Sequence, residues 1–373
     1  MLIGICGSIC SGKKTVAQYL VDHHGFRRLY LRDDAKEVNG ARENPIEDAA
    51  APATDSSSAA AQGGDSSRSL AMRGRPDSHT FDTAEALLDF VTVSWRSRFV
   101  TTDIPTEKVL DVFLRRPFFM LISTDAPLLA RWRRHTARAE SSSPSSLTGG
   151  ARSALSLEDF AAASDAHLYC PSRGLQPLIS RATVRLLNTS PSLAHLYATL
   201  GKLDVPNPER LRPGWDAYFM SLAALAARRS NCMKRRVGCV LVGAGRRVVS
   251  TGYNGTPRGL RNCADGGCPR CNGGGCASGV GLATCLCLHA EENALLEAGR
   301  ERIRPGAVLY CDTCPCLTCS IKICQVGIDE VVYARGYSMD AEAAAVFREA
   351  GVKLRQFTPP PNGSIHLEKM DMF

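Results

Sequence analysis

The sequence predicts an α/β protein of two domains, residues 1–200 and 205–373. Three observations lead there. The chain has 373 residues, enough for two domains of ordinary size. Residues 1–35 read as strand, tight turn, helix and second short strand. From Arg212 onward strands and helices alternate after an opening hairpin, which implies a mixed sheet sandwiched by helices.

Leu2–Cys6 is an apolar strand, Gly7–Gly12 the turn, and Lys14–His23 a helix with Val16, Leu20 and Val21 on its apolar side. Residues 37–79 shift to Ala, Ser, Asp, Gly and Pro, and 139–153 are similarly biased, so both inserts are expected to be disordered. Thr83–Val93 has helical spacing, Phe99–Ile104 and Phe118–Ser123 read as short buried strands, and Ser123–Arg138 as a basic helix. Leu168–Asp204 is expected to be partly helical and to join the two halves. Next come a helix at Trp215–Arg229 and strands at Val237–Val242 and Arg247–Tyr253, with Gly243-Ala244-Gly245 as the hairpin turn between them. A Cys- and Gly-rich loop runs from Asn262 to Thr284. Helices at His289–Arg300, Cys316–Val326 and Met339–Ala350 then alternate with strands at Ala307–Asp312, Glu330–Ala334 and Lys353–Phe357.

The chain carries a formal net charge of +8, scattered rather than gathered into a basic tract with interleaved aromatics. A nucleic-acid partner is therefore not expected. No run of about 18 apolar residues marks a membrane span. Met1-Leu2-Ile3-Gly4-Ile5 lacks the basic start of a secretory signal. Of 16 cysteines, 13 fall between Cys232 and Cys324. Clustered C-x-x-C spacing without an export signal reads as metal binding in a reducing compartment, cytosol or nucleus.

The motif with the most chemistry is His289-Ala290-Glu291 followed by Pro315-Cys316-Leu317-Thr318-Cys319. Both pieces are expected at helix starts, where the partial positive charge favours thiolate over thiol. Cys316 and Cys319, three apart, point to one side of their helix. Two thiolates and the neutral His289 imidazole leave one tetrahedral position of a zinc ion open to water, unlike a closed structural site. Zinc lowers the pKa of such a water from about 15.7 toward roughly 7. Glu291, two residues from His289, is turned away from the ligand direction and is expected to shuttle protons. Glu292 is read as a surface or interface residue.

This H-x-E and P-C-x-x-C pattern resembles the zinc nucleoside and nucleobase deaminases. Within them, residues from about Arg212 to Phe357 resemble the deoxycytidylate (dCMP) deaminase family, particularly its fungal form. The matching stretches are Arg229–Gly238, Gly252-Tyr253-Asn254-Gly255-Thr256-Pro257-Arg258, Cys285–Ala294 and Cys314–Cys319. The resemblance implies a cytidine-deaminase-like fold, commonly in homo-oligomers. It implies hydrolysis of dCMP to dUMP and ammonia by a zinc-bound hydroxide, feeding thymidylate synthesis, with activation by dCTP and inhibition by dTTP. It places Asn254 on the deoxyribose and the Gly252–Gly255 loop at the nucleotide effector, with Tyr253 and Ala290 among the nucleotide contacts. Asn231, Lys234, Arg235 and Arg236 could neutralise phosphates or form a solvated basic loop.

Some members of that family carry a second, structural zinc. In that comparison Cys232, Cys263 and Cys287 fall at ligand positions. Cys268 and Cys271, in C-x4-C-x2-C spacing with Cys263, give more candidates than the four a closed site needs. Buried free thiols are the alternative. Cys285 follows the loop, and Cys276 and Cys314 stay unassigned.

Gly7-Ser8-Ile9-Cys10-Ser11-Gly12-Lys13 satisfies G-x-x-x-x-G-K between a strand and a helix. Backbone amides of such a loop cradle phosphates, and Lys13 would reach their outer oxygens. The segment resembles small P-loop kinases of the dephospho-coenzyme A kinase type, with Asp103 as the candidate Walker-B carboxylate. One departure matters: Lys14 stands where the Mg2+-binding hydroxyl belongs, and Thr15 comes one place late. The expectation is a fold able to take a nucleotide effector, with Mg2+ as its companion ion, but no longer transferring phosphoryl groups. Three other functions stay open: a zinc deaminase of another cytosine or nucleic-acid substrate, a small-molecule kinase acting through this loop, and a nonenzymatic zinc interaction module.

Overall fold

The first strand, β1 (Leu2–Gly7), is buried at every position, as expected of a parallel strand covered on both faces. The computed structural model describes residues 1–32, 79–141, 155–273, 281, 284–336 and 340–367. They divide into two units, Met1–Leu211 with Pro361–Phe373, and Arg212–Pro360. The expected inserts lie outside the described residues except at their edges, where His79 opens a strand and residues 139–141 close a helix.

In the first unit α1 (Lys13–His24) follows the glycine turn and stops at Gly25, whose φ of 65° is left-handed. Then come β2 (Arg27–Leu31), β3 (His79–Phe81), α2 (Ala84–Val93), β4 (Phe99–Thr101) and α3 (Glu107–Leu114). Next are β5 (Phe119–Asp125), α4 (Leu128–Ser141), α5 (Leu157–Tyr169), α6 (Gln176–Ser180), β6 (Val184–Leu187) and α7 (Leu193–Leu203). Thr83, Thr106, Ser156 and Ser192 cap four of these helices with side-chain oxygens.

The second unit holds α8 (Trp215–Ala227), β7 (Gly238–Val242), β8 (Val248–Tyr253), α9 (Pro269–Asn272), α10 (Ala290–Ala298) and β9 (Val308–Thr313). It ends with α11 (Leu317–Val326), β10 (Glu330–Arg335), α12 (Asp340–Glu349) and β11 (Lys353–Gln356). Its sheet runs β11-β10-β9-β7-β8. β7 is antiparallel to β8 and β9, while β9, β10 and β11 are mutually parallel, so the sheet is mixed as expected. Alternation along β7 sorts the core. Cys239 and Leu241 face Ala290, Ala294, Ile323 and Phe347, whereas Val240 and Val242 face Phe219 and Met220 of α8. Helices therefore cover both faces.

The chain then re-enters the first unit as β12 (Gly363–His366), parallel to β6 with Ile365 opposite Leu186. The seven-stranded sheet reads β12-β6-β5-β1-β4-β2-β3, and every pairing in it is parallel. The expected domain of 205–373 is thus corrected at both ends, since the first unit runs to Leu211 with Val205 in its apolar cluster. Residues from Pro361 pack with the first unit because Ile365 and Leu367 join its apolar cluster. Five further elements escaped the pattern reading: β3, α3, α5, β6 and the short α9. The basic helix starts at Leu128 rather than Ser123, because β5 extends to Asp125 in register with β6. Among the described residues no helix is long and apolar enough to cross a membrane.

Candidate active site

His289 is the N-cap of α10 and Cys316 the N-cap of α11, both with extended backbone. Two features fix the entry to α10. Leu288 and Gly255 exchange backbone hydrogen bonds of 2.9 and 3.2 Å. Gly252 lets the helix lie close on β8, since a Cβ there would fall 2.0 Å from Ala290 O and 2.5 Å from Ala294 N. The two helix starts then meet. His289 Nδ1 is 3.4 Å from Cys316 Sγ and 3.3 Å from Cys319 Sγ, and all three donor atoms lie within 4.8 Å of one another.

These spacings fit zinc. Zn–S bonds of about 2.3 Å and Zn–N bonds of about 2.0–2.1 Å set neighbouring tetrahedral donors roughly 3.5–3.8 Å apart. The charges fit too. The Cys316 thiolate holds the His289 imidazolium up at about 9. Hydrogen bonds from Cys319 and His289 draw the Cys316 thiol down to about 4, and Cys319 is pushed up by Cys316 beside it. Two buried sulfurs and one half-buried imidazole compete for one positive charge, which is the chemistry of a cation site.

Glu291 is only 3% exposed and lines a cavity of about 200 Å³ together with His289, Cys316 and Ala290. Burial pushes its carboxyl up to about 7, with His289 pulling the other way. A carboxyl with that value exchanges protons readily near neutrality. Asn254, Lys234 and Arg235 line the same cavity. Asn254 Oδ1 accepts from Ser230 Oγ at 2.7 Å and Val237 N at 2.8 Å, and its Nδ2 donates to Arg235 O at 2.7 Å. One amide hydrogen of Asn254 is left beyond these bonds.

Other expected contact residues are engaged by the protein itself. Gly252 serves helix packing, and a Cβ at Gly255 would fall 2.5 Å from Asn231 Oδ1. Asn231 Nδ2 donates to Asn262 Oδ1 at 2.8 Å, and the carbonyl of Tyr253 accepts from Asn293 Nδ2 at 2.7 Å. The reading of Glu292 as a surface or interface residue is corrected. Its Oε2 accepts the His289 backbone N–H at 2.8 Å, and its Oε1 pairs with Lys322 of α11. Burial works against this charge, yet Lys322 and the His289 N–H hold the carboxyl below its ordinary value. Its position three residues after the cap was the available signal.

The cysteines of the loop gather as well. Cys232, Cys263, Cys271 and Cys287 form one four-sulfur group. Cys268, Cys271, Cys285 and Cys287 form another, which brings in Cys285 beyond the expected set. Cys276 lies outside the described residues.

In the first unit Gly12, at φ 106°, is the N-cap of α1, and Lys13 begins that helix with Lys14 and Thr15. Gly7, at φ 151°, passes close to the chain at Thr124. Ser8 Oγ donates to Asp125 Oδ1 at 2.5 Å, and Ser11 and Thr124 hydroxyls are 2.8 Å apart. Asp103 accepts from Leu31 N at 3.0 Å and from Thr102 Oγ1 at 3.2 Å, so neighbouring chain already holds its carboxylate.

Residues 213–335 match the model of the cytidine and deoxycytidylate deaminase zinc-binding region. The chain is 43% identical to a deoxycytidylate deaminase of Schizosaccharomyces pombe, over 96% of this chain and 98% of the relative. It is 47% identical to a deoxycytidylate deaminase of Saccharomyces cerevisiae, over 74% of this chain and 86% of the relative. A solved dCMP deaminase of the cyanophage S-TIM5, in complex with dCMP and dUMP, aligns over 38% of this chain and 94% of its own, with 28% identity and a TM-score of 0.31.

Proposed function

The chain belongs to the deoxycytidylate deaminase family, and from that premise we propose how its own residues carry out hydrolysis of dCMP to dUMP and ammonia. Zinc is the cofactor. His289 Nδ1, Cys316 Sγ and Cys319 Sγ would hold it. When bound, it supplies Lewis acidity that makes water nucleophilic at neutral pH. Glu291 accepts a proton from the attacking water and passes it to N3 of the pyrimidine as the new C4–O bond forms. The same carboxylate then carries the remaining hydroxyl proton to the amino group, which leaves as ammonia. The reading is carried by a buried carboxyl beside the three-donor cluster on one cavity wall.

Asn254 offers its remaining amide hydrogen to the deoxyribose, and Lys234 and Arg235, on the same cavity, suit the 5′-phosphate. We assign the nucleotide effectors, dCTP and dTTP, to the Gly252–Gly255 loop with Asn231, and homo-oligomers would suit such control. The cysteine cluster takes a structural zinc. Among the described residues all cysteines are free, which suits cytosol or nucleus.

For the first unit we read a P-loop kinase-like domain that holds a nucleotide without transferring phosphate. Gly12 and Lys13 start a helix directly after a buried central strand, as a phosphate cradle needs. Lys14 in place of a hydroxyl removes a Mg2+ ligand.

The test of the deaminase reading is Glu291→Gln. The variant should keep its zinc and fold while turnover on dCMP falls about 10²–10⁴-fold. Near wild-type turnover would remove Glu291 from the proton path. Parallel assays on CMP and deoxycytidine measure what the sugar and phosphate contribute.

A further inference from the structure

Six cysteines of the second unit form two four-sulfur groups that overlap. Cys232, Cys263, Cys271 and Cys287 lie within 4.8 Å of one another, and so do Cys268, Cys271, Cys285 and Cys287. Cys271 and Cys287 belong to both. Two tetrahedra that share an edge have this composition, with two shared vertices and two private ones each.

We propose that this cluster is a binuclear zinc–thiolate centre, in which Cys271 and Cys287 bridge two ions. Cys232 and Cys263 complete one tetrahedron, and Cys268 and Cys285 the other. The proposal rests on the reading of a structural zinc here and adds a second ion to it.

Two observations support two ions over one, and a third agrees with them. The first is spacing. Cys232–Cys271 is 3.8 Å, Cys271–Cys285 3.7 Å, Cys268–Cys285 3.9 Å and the shared edge Cys271–Cys287 3.9 Å. A zinc tetrahedron with Zn–S bonds of about 2.3 Å has edges of about 3.8 Å. Thus the sulfurs beyond the first four are placed as well as those within it.

The second is hydrogen bonding at the private sulfurs. Cys232 accepts from the backbone N–H groups of Lys234 and Arg235. Cys263 accepts from Met233 N at 3.4 Å. Cys268, fully buried, accepts from the backbone N–H groups of Cys271 and Leu286. Cys285 accepts from the Arg270 guanidinium at 3.6 Å. A guanidinium and two backbone amides thus aim at Cys285 and Cys268, as amides do at Cys232 and Cys263. A single ion on the first group would leave Cys285 and Cys268 without a metal.

The third is local covalent economy. Cys268 and Cys271 flank Pro269-Arg270, and Cys285 and Cys287 flank Leu286. Each pair spans one private and one shared vertex of the second tetrahedron. An ion there would tie both ends of the Cys- and Gly-rich loop a second time, beside the tie that Cys271 and Cys287 make in the first group.

Zinc content per chain of the full-length protein, by elemental analysis with native mass spectrometry, tests this. The expected value is three, one at His289 and two at the cluster. The double variant Cys268→Ser, Cys285→Ser should hold two. A wild-type value of two, unchanged in that variant, overturns the bridged pair while leaving a single structural zinc. A value of one overturns both. Should the variant fail to fold, cobalt substitution of the wild type still decides. Thiolate-bridged cobalt(II) ions couple magnetically, so the cluster pair should lose its EPR intensity, and full intensity for every bound cobalt overturns the bridge.

Discussion

Glu292 accepts the backbone N–H of His289 at 2.8 Å and pairs with Lys322 of α11 through its other oxygen. One carboxylate thus caps the helix that presents the imidazole and grips the helix that presents Cys316 and Cys319. The metal donors come from two separate chain segments, and Glu292 is a positioning residue that keeps them in register.

Replacing it should weaken metal retention before it alters chemistry. Glu292→Ala is expected to lower zinc affinity at the catalytic site about 10–100-fold, the usual effect of losing a partner that orients a ligand. Competition with a chromophoric chelator measures this. At saturating zinc, turnover should recover toward wild type, which separates this role from that of Glu291.

A substitution can separate the structural duty of Asn254 from its proposed place on the sugar. Its amide ties Ser230, Val237 and Arg235 into one turn, so Asn254→Ala should cost on the order of 1–3 kcal/mol in stability. If its last amide hydrogen also meets the sugar, KM for dCMP should rise at least tenfold at temperatures where the variant is folded. Denaturant melts and steady-state kinetics on the same preparation read the two effects separately.

Strong acid should erase one contact of the second unit. Arg355 meets Asp216 at 2.7 and 3.1 Å, and Tyr310 donates to Asp216 at 2.8 Å. The Arg355 hydrogen bond leads in holding the Asp216 carboxyl below its ordinary value. A depressed carboxylate stabilises the fold fully above its unfolded pKa of about 3.9, and loses that contribution as pH falls through the lower folded value. Asp216→Asn should therefore cost about 1–2 kcal/mol at pH 7, and the gap to wild type should close in more acidic buffer. Urea midpoints of both proteins at several pH values check it.

Lys13→Ala should leave deamination at saturating dCMP nearly unchanged, because His289, Cys316, Cys319 and Glu291, the residues proposed to carry it, all lie in the other unit. Binding of a fluorescent nucleotide to the first unit is the property expected to fall. A large drop in turnover without effectors would contradict this separation.

The convergence of His289, Cys316 and Cys319 was legible because they sit in two short motifs, each placed at a helix start. The place of Glu291 on the same cavity followed from its offset of two from His289. The role of Glu292 was missed, since its partner Lys322 lies on another helix and side-chain pairing across helices leaves no period in sequence. Cys285 was left out of the five candidates for a related reason: which sulfurs converge depends on how the loop folds and not on their spacing in sequence. Strand β7 and its hairpin followed from apolar runs and a glycine turn. Strands β3, β6 and β12 did not, because three- or four-residue strands at or near a sheet edge carry too few apolar positions to stand out.

The late return of β12 bears on how the protein is made. A ribosome delivers Val184 and Leu186 early, but Ile365 and Leu367, which pack in the same cluster, emerge only after the whole zinc-binding portion. Until then the nascent domain presents an open apolar strand edge, the kind of surface that chaperones shield. The earliest-translated half of the enzyme is therefore the last to be finished.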